Sequence, residues 1–151
     1  MADDPDLDSA YALNSPQAVQ QLYAGWADTY DTDFAVEHGY QLHDHVASAY
    51  VDAQGTGPVL DVGAGTGLVA QALAARGLKA IDGTDISPEM LQIAGSKGVY
   101  SALFQSDILA GLPIADDHYA GAVSAGTFTL GHVGPEALSE VLRVTRPGGT
   151  V

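Results

Sequence analysis

The stretch Val59-Leu60-Asp61-Val62-Gly63-Ala64-Gly65-Thr66-Gly67 sets three glycines, one every second residue, directly behind a short apolar run. Glycines at 63, 65 and 67 let the backbone turn sharply and let a ligand lie against it with no Cβ in the way. If a helix starts beyond Gly67, its first N–H groups are free to bind a carboxylate or a phosphate. The spacing selects among ligands. Dinucleotide sites use G-x-G-x-x-G, but here the third glycine of that pattern is replaced by Leu68, and no Gly-Lys-Ser/Thr of a P-loop follows. Asp61 stands two residues before the first glycine. A carboxylate there repels a pyrophosphate and suits an amino group or a sulfonium cation, directly or through water.

Two further acids fall in order. Asp85 closes Lys79-Ala80-Ile81-Asp82-Gly83-Thr84-Asp85, close to where a ribose-binding acid is expected in a mononucleotide-binding half. It could instead cap the helix that opens near Pro88, but Ser87 already serves that purpose. Asp107, in Gln105-Ser106-Asp107-Ile108, is either a loop acid at a turn or a group that holds the exocyclic amine of adenine, itself or through its backbone, with Ile86 and Ile108 as apolar walls. His43 and His45 would face different sides of a helix, so no metal is expected. His132 follows the fourth predicted strand and is a candidate base, although a structural histidine suits that position better.

The elements that must position these residues follow from periodicity. Residues 1–14 are Asp-rich and aperiodic, an acidic mobile tail ahead of a single domain over 15–151. Ser15-Pro16 reads as a helix start, with Ala18, Val19, Leu22, Tyr23 and Trp26 on one face. A second helix is predicted over 40–52, with Leu42, Val46, Ala49 and Tyr50 inward. Strands are predicted over 58–62, 79–84, 99–105 and 119–124, and helices over 68–76, from Ser87, and over 135–144. Strands alternating with helices over short connections imply an α/β fold, a Rossmann-like parallel sheet with helices on both faces.

Charge and composition bound the partners. The 151 residues hold 5 Lys+Arg against 19 Asp+Glu, a net charge of −14. Residues 1–75 carry eleven acids and no Lys or Arg; the remainder has eight acids and five bases. A field of that sign repels phosphate backbones and anionic lipid, so neither a nucleic acid nor a membrane is expected as partner. The chain has no cysteine, which removes disulfides, thiolate metal sites and Cys nucleophiles. Its first ten residues are acidic where a signal or transit peptide is basic, so a cytoplasmic protein is expected.

These elements in order resemble the class I S-adenosylmethionine-dependent methyltransferases, in particular the branch acting on small molecules. VLDVGAGTG matches the family's glycine motif, GTDISPEML its ribose motif and QSDI its adenine segment. Residues 118–123 look like its fourth strand, 142–149 like the turn before its fifth, and 23–31 like the N-terminal helix that closes over the cofactor. The resemblance covers roughly 19–151. It implies that Gly63, Ala64, Gly65 and Gly67 line the methionine and ribose part of S-adenosyl-L-methionine. Asp61 would lie near its amino group, Asp85 at the ribose, and Asp107 with Ile108 at the adenine, which Ile86 also walls. Ser124, Ala125 and Gly126 would lie near the transferable methyl, with Tyr30 as a lid.

The activity so implied is methyl transfer to a small-molecule acceptor, leaving S-adenosyl-L-homocysteine. The competing expectations are a non-catalytic module that binds the same cofactor and, disfavoured by the glycine spacing and Asp61, an NAD-dependent oxidoreductase. The family's sheet continues through further strands, whereas this sequence ends at Gly149-Thr150-Val151, where the fifth should begin. The edge beside the fourth strand is therefore expected to be unpaired and open to a second copy in a homo-oligomer.

Overall fold

All four residues of the first strand, β1 (Val59–Val62), are buried, as a short apolar run must be when strands flank it on both sides and helices cover both faces. The computed structural model describes residues 17, 18, 21, 41–128 and 133–151. The acidic tail, the Ser15 cap, most of the first predicted helix, Tyr30 and His132 lie outside them. In chain order the described elements are α1 (Leu42–Asp52), β1, α2 (Leu68–Ala75), β2 (Ile81–Asp85), α3 (Pro88–Ser96), β3 (Ala102–Gln105), β4 (Tyr119–Ser124), α4 (Leu138–Val144) and β5 (Thr145–Thr150). Single turns of 3-10 helix occupy Ile108–Ala110 and Pro135–Ala137.

The strands form one sheet in the order β3-β2-β1-β4-β5, with every pairing parallel. The chain builds outward from β1 to β3 and then returns across β1 to β4. Strand order reverses there, and a crevice opens beyond the carboxyl ends of β1 and β4, where open α/β sheets bind ligands. This is the Rossmann-like α/β architecture that the alternating pattern implied.

α1 and α2 cover one face through Ala47, Tyr50, Val69, Ala70 and Leu73. α4 and the turn at Ile108 cover the other, packing on Leu60, Val62 and Ala122. α1 turns part of its expected face inward: Tyr50 is buried and Val46 is half-buried against the core, but Ala49 is exposed, Leu42 is 42% exposed, and Ala47 is buried instead. The Tyr50 ring lies where a side chain on Gly55 would go, and its hydroxyl donates to the Thr56 carbonyl at 2.7 Å. α3 opens as the sequence indicates, with Ser87 Oγ accepting from the Met90 N–H at 3.2 Å and Pro88 in the first turn.

The far edge of β4 is not free. Tyr119 pairs with Thr145 and Gly121 with Thr150, and the residues between them on β5 bulge outward. The expected turn at Arg146-Pro147-Gly148-Gly149 is thus present, as an irregularity inside a fifth strand rather than a segment ahead of it. Pro147 has no N–H to donate and Gly148 sits at φ +80, so the ladder breaks between its two ends. The strand beside β4 is thus a bulged, proline-bearing one.

The three arginines are tied to the protein's own groups. Arg76 reaches Asp44 at 2.9 Å and Ser48 at 3.0 Å, joining α2 to α1. Arg143 reaches Glu140 at 2.6 Å and Asp116 at 2.7 Å, and donates to the Ile114 and Leu112 carbonyls. Arg146 donates to the carbonyl of His118 at 2.9 Å. Among the described residues, no helix is long and apolar enough to cross a membrane.

Candidate functional site

The glycine turn takes the form its sequence requires. Gly63, Gly65 and Gly67 adopt φ of +67, +55 and +94, the left-handed region that side chains resist. Gly67 is the N-cap of α2. At Gly63 the Thr127 side chain fills the place of a Cβ, so that glycine admits a neighbouring loop. At Gly65 a Cβ would meet nothing within 4 Å. The turn therefore leaves open space against bare backbone at Gly65, the cradle a ligand needs.

Two carboxylates flank that cradle. Asp85, half-buried at the carboxyl end of β2, accepts from the Gly65 N–H at 2.8 Å through Oδ2 and from the Ser87 N–H at 2.9 Å through Oδ1. It fastens the glycine turn to β2, and with a further backbone hydrogen bond from Ile86 the carboxylate still keeps acceptor capacity for a hydroxyl. Burial raises its pKa, against the lowering by these backbone N–H groups. The helix-capping role belongs to Ser87, as expected.

Asp61 is 1% exposed, on the face of β1 that packs under α1 and α2. Its Oδ2 accepts from the Tyr100 hydroxyl at 2.7 Å, and its Oδ1 is buried with no hydrogen-bond partner. Burial pushes its pKa up to about 7; the Tyr100 hydrogen bond opposes the rise and the charge of Asp85 adds to it. Two like charges on either side of one turn, one of them with an orphaned oxygen, make a site that a cation relieves.

The remaining predicted positions fall around the same turn. Ala64 is buried, and its N–H donates to the Thr84 carbonyl at 2.9 Å. Ile86 is half-buried and Ile108 is 8% exposed. Asp107 Oδ1 accepts from the Leu109 N–H at 3.0 Å and caps the turn Ile108–Ala110, so the carboxylate does the work of a loop acid. Ser124, at the carboxyl end of β4, donates to the Val62 carbonyl at 2.9 Å. Thr127 donates to the same oxygen at 3.2 Å, fastening the segment after β4 to the end of β1.

Tyr100 was not among the expected site residues, because the third strand was predicted to include it. β3 starts only at Ala102, and Tyr100 instead crosses beside β2. A Cβ on Gly83 would lie 2.6 Å from the Tyr100 ring, and one on Gly67 3.1 Å from it. The available signal was Gly83 itself, since a lone glycine inside a buried strand marks a close approach.

An apolar cavity of about 310 Å³ opens beside Ser124, lined by Val46, Tyr50, Val123, Phe128, Leu138 and Val151 among others. It lies at the carboxyl ends of β4 and β5, on the far side of β1 from Asp85.

Comparison with known proteins agrees with this geometry. The model of a methyltransferase-domain family matches residues 59–149. The human methyltransferase-like protein 27 is 34% identical over 142 residues, covering 90% of this chain and 58% of its own length. The demethylmenaquinone methyltransferase of Thermobifida fusca is 32% identical over 141 residues, covering 89% of this chain and 59% of its own. The chain thus spans about six-tenths of the length of these relatives. Among solved structures, a SAM-dependent methyltransferase of Thermotoga maritima superposes with a TM-score of 0.68 at 24% identity, covering 86% of this chain and 58% of that one, a likeness of fold. The glycine turn, the acid at the end of β2, the sheet order and the family match converge: the chain belongs to the class I S-adenosylmethionine-dependent methyltransferase family.

Proposed function

We propose that this chain binds S-adenosyl-L-methionine at the glycine turn and carries out methyl transfer to a small-molecule acceptor. The observation that carries the proposal is the open cradle at Gly65 between two buried or half-buried carboxylates, one of which has an oxygen without a partner. When bound, the cofactor supplies a methyl on positively charged sulfur, which passes in line to an O, N or C nucleophile.

The chain's own residues bind and orient. Asp85, already immobilised by Gly65 and Ser87, accepts from the ribose hydroxyls, with Ile86 alongside. Gly63, Ala64, Gly65 and Gly67 give backbone contact, and the charge of Asp61 faces the cationic end through a low-dielectric interior. Ile86 and Ile108 wall the adenine. Asp107 Oδ1 is engaged with the Leu109 N–H, and its other oxygen or the backbone of this turn meets the exocyclic amine. Ser124 stands between the glycine turn and the apolar cavity, at the position where acceptor and methyl would meet. Catalysis here consists of holding two reactants in line and excluding water.

The acceptor we assign is a small molecule with an apolar face. The cavity beside Ser124 is almost entirely apolar in its lining, and one relative is by name a demethylmenaquinone methyltransferase. The charge of −14 argues against a nucleic-acid acceptor.

Calorimetry with S-adenosylmethionine, S-adenosylhomocysteine and NAD tests the proposal. Saturable binding of the first two and none of NAD is expected. NAD binding without response to the other two overturns it. Binding of S-adenosylhomocysteine with no methyl transfer across a broad acceptor panel reduces the function to cofactor binding alone.

A further inference from the structure

The Tyr100–Asp61 pair has a geometry that packing alone does not require. Asp61 and Gly83 are register partners on adjacent parallel strands, so their Cα–Cβ directions lie on the same face of the sheet. Because Gly83 has no side chain, the Tyr100 ring fits beside Asp61, with its edge against Gly83 and Gly67. The backbone that delivers it is anchored by the Ser101 N–H, which donates to the Ile81 carbonyl at 2.7 Å. A phenol is thereby aimed at one oxygen of a buried carboxylate, and the other oxygen is left unmatched. Simple core filling would have been met by an apolar ring next to an apolar residue. An acid at 1% exposure stays ionised only where something holds its charge; otherwise it takes up a proton.

We infer that Tyr100 is a positioning residue of the cofactor site, acting through Asp61: its hydroxyl fixes the carboxylate and keeps it ionised for a cationic ligand, which makes cofactor affinity depend on pH. The inference rests on the cofactor assignment proposed above. A hydrogen bond donated to the charged form favours that form. Without it, burial and the neighbouring Asp85 both favour the protonated acid, and the attraction for a cation is lost. The groups acting on Asp61 are Tyr100, from the segment before β3, and Asp85, from the end of β2. α2, which packs on the same face, presents only apolar residues and Gln71 between Leu68 and Ala75; α1, on that face too, carries His43, Asp44, His45, Tyr50 and Asp52, none of them among the groups that act on Asp61; and the β4 register partner is Val123.

The test compares the wild type, Tyr100→Phe and Asp61→Asn, each by two measurements. Tyr100→Phe keeps the ring that packs on Gly67 and Gly83 and removes only the hydroxyl. In the ligand-free protein, carbon NMR of the Asp61 carboxyl reads its titration directly. The wild-type midpoint is expected near neutrality and that of Tyr100→Phe higher. Calorimetry with S-adenosylhomocysteine from pH 6 to pH 9 reads the consequence. Tyr100→Phe is expected to bind about tenfold more weakly at pH 6.5 and to converge on the wild type by pH 9, where both carboxyls are charged. Asp61→Asn reports the ligand's own ionisation and is expected to bind weakly at every pH.

A uniform loss in Tyr100→Phe at all pH values, or an unmoved Asp61 titration, overturns the positioning role and makes Tyr100 a packing residue. A shifted titration without any pH-linked difference in affinity also overturns it, while binding by the wild type leaves the cofactor assignment standing. Failure of the wild type to bind S-adenosylhomocysteine at any pH removes the cofactor assignment itself; the NMR titration still reports whether Tyr100 controls Asp61.

Discussion

Asp85 Oδ2 accepts a hydrogen bond from the Gly65 N–H at 2.8 Å, tying the middle of the glycine turn to the end of the next strand. One carboxylate thus both shapes the cradle and faces what the cradle would hold. Replacing Asp85 by Ala removes the acceptor for the ribose and frees the Gly65 N–H together. S-adenosylhomocysteine affinity is expected to fall by about 10- to 100-fold, the equivalent of roughly 1.5–3 kcal/mol for hydrogen bonds to a charged group. Calorimetry on folded protein, verified by circular dichroism, measures it. Unchanged affinity would remove Asp85 from the site.

Gly65 and Gly77 make a matched pair. Both have positive φ, +55 and +95, and neither has any atom within 4 Å of where a Cβ would stand. Alanine at either position costs about 1–2 kcal/mol of backbone strain, measurable by urea unfolding. Only at Gly65 does the added methyl project into the proposed cradle. Gly65→Ala is therefore expected to lose cofactor binding by at least tenfold, and Gly77→Ala to keep it within about twofold. Equal behaviour of the two variants in binding would show that the space above Gly65 is not used.

Acid sensitivity is expected from Glu140. Hydrogen bonds from Arg143 and from the Leu112 N–H hold its pKa down to about 2, below the usual carboxylate value of 4.5. A depressed folded-state pKa gives stability that is present above the unfolded pKa and lost as pH falls through the folded one. The contribution of Glu140 is complete above about pH 5 and disappears between there and about pH 2. Glu140→Gln should lower the melting temperature at pH 7 and narrow its gap to the wild type at pH 3. A gap that stays constant across that range would mean the carboxylate charge contributes nothing.

Leu73 is fully buried between α1 and the sheet, where it packs in the cluster with Tyr50 and Ile81. Leu73→Ala is expected to destabilise the fold by about 2–5 kcal/mol, read by denaturant unfolding. Because the glycine turn is hydrogen-bonded to β2 rather than to this cluster, affinity at saturating stability is expected to change little. A loss of binding in folded Leu73→Ala would tie the core to the site more closely than the hydrogen bonds indicate.

Much of this was legible in the residues. The all-apolar Val59-Leu60 opening, followed by three alternating glycines, specified a buried strand, a left-handed turn and a helix start, because few other sequences tolerate φ above +50 three times in five residues. Ser87-Pro88 marked α3 for a local reason, a cap and a fixed φ. What local pattern could not carry was long-range contact. Tyr100 lies 39 residues from Asp61, and nothing in its own neighbourhood indicates a carboxylate partner. The ends of β5 find β4 by pairing across a bulge, so the Pro-Gly-Gly that reads as a terminator is embedded in a strand instead. Val46 and Tyr50 of the predicted helical stripe do face the core, but Leu42 and Ala49 do not, because tertiary packing takes Ala47 inward instead.

The arginines have a consequence at longer range. Arg76, Arg143 and Arg146 are each fixed on acids or carbonyls of the chain itself, and with all five bases counted the chain still carries a net −14, a strongly negative field. Such a field concentrates cations near the surface and speeds their arrival, within a reach of about 8 Å at physiological ionic strength. Transfer of the methyl turns sulfonium sulfur into neutral thioether, so the departing molecule is held by one charge fewer than the one that came in. On the proposed function, the same surface is expected to favour fresh cofactor over spent product, a preference that fades as salt is added.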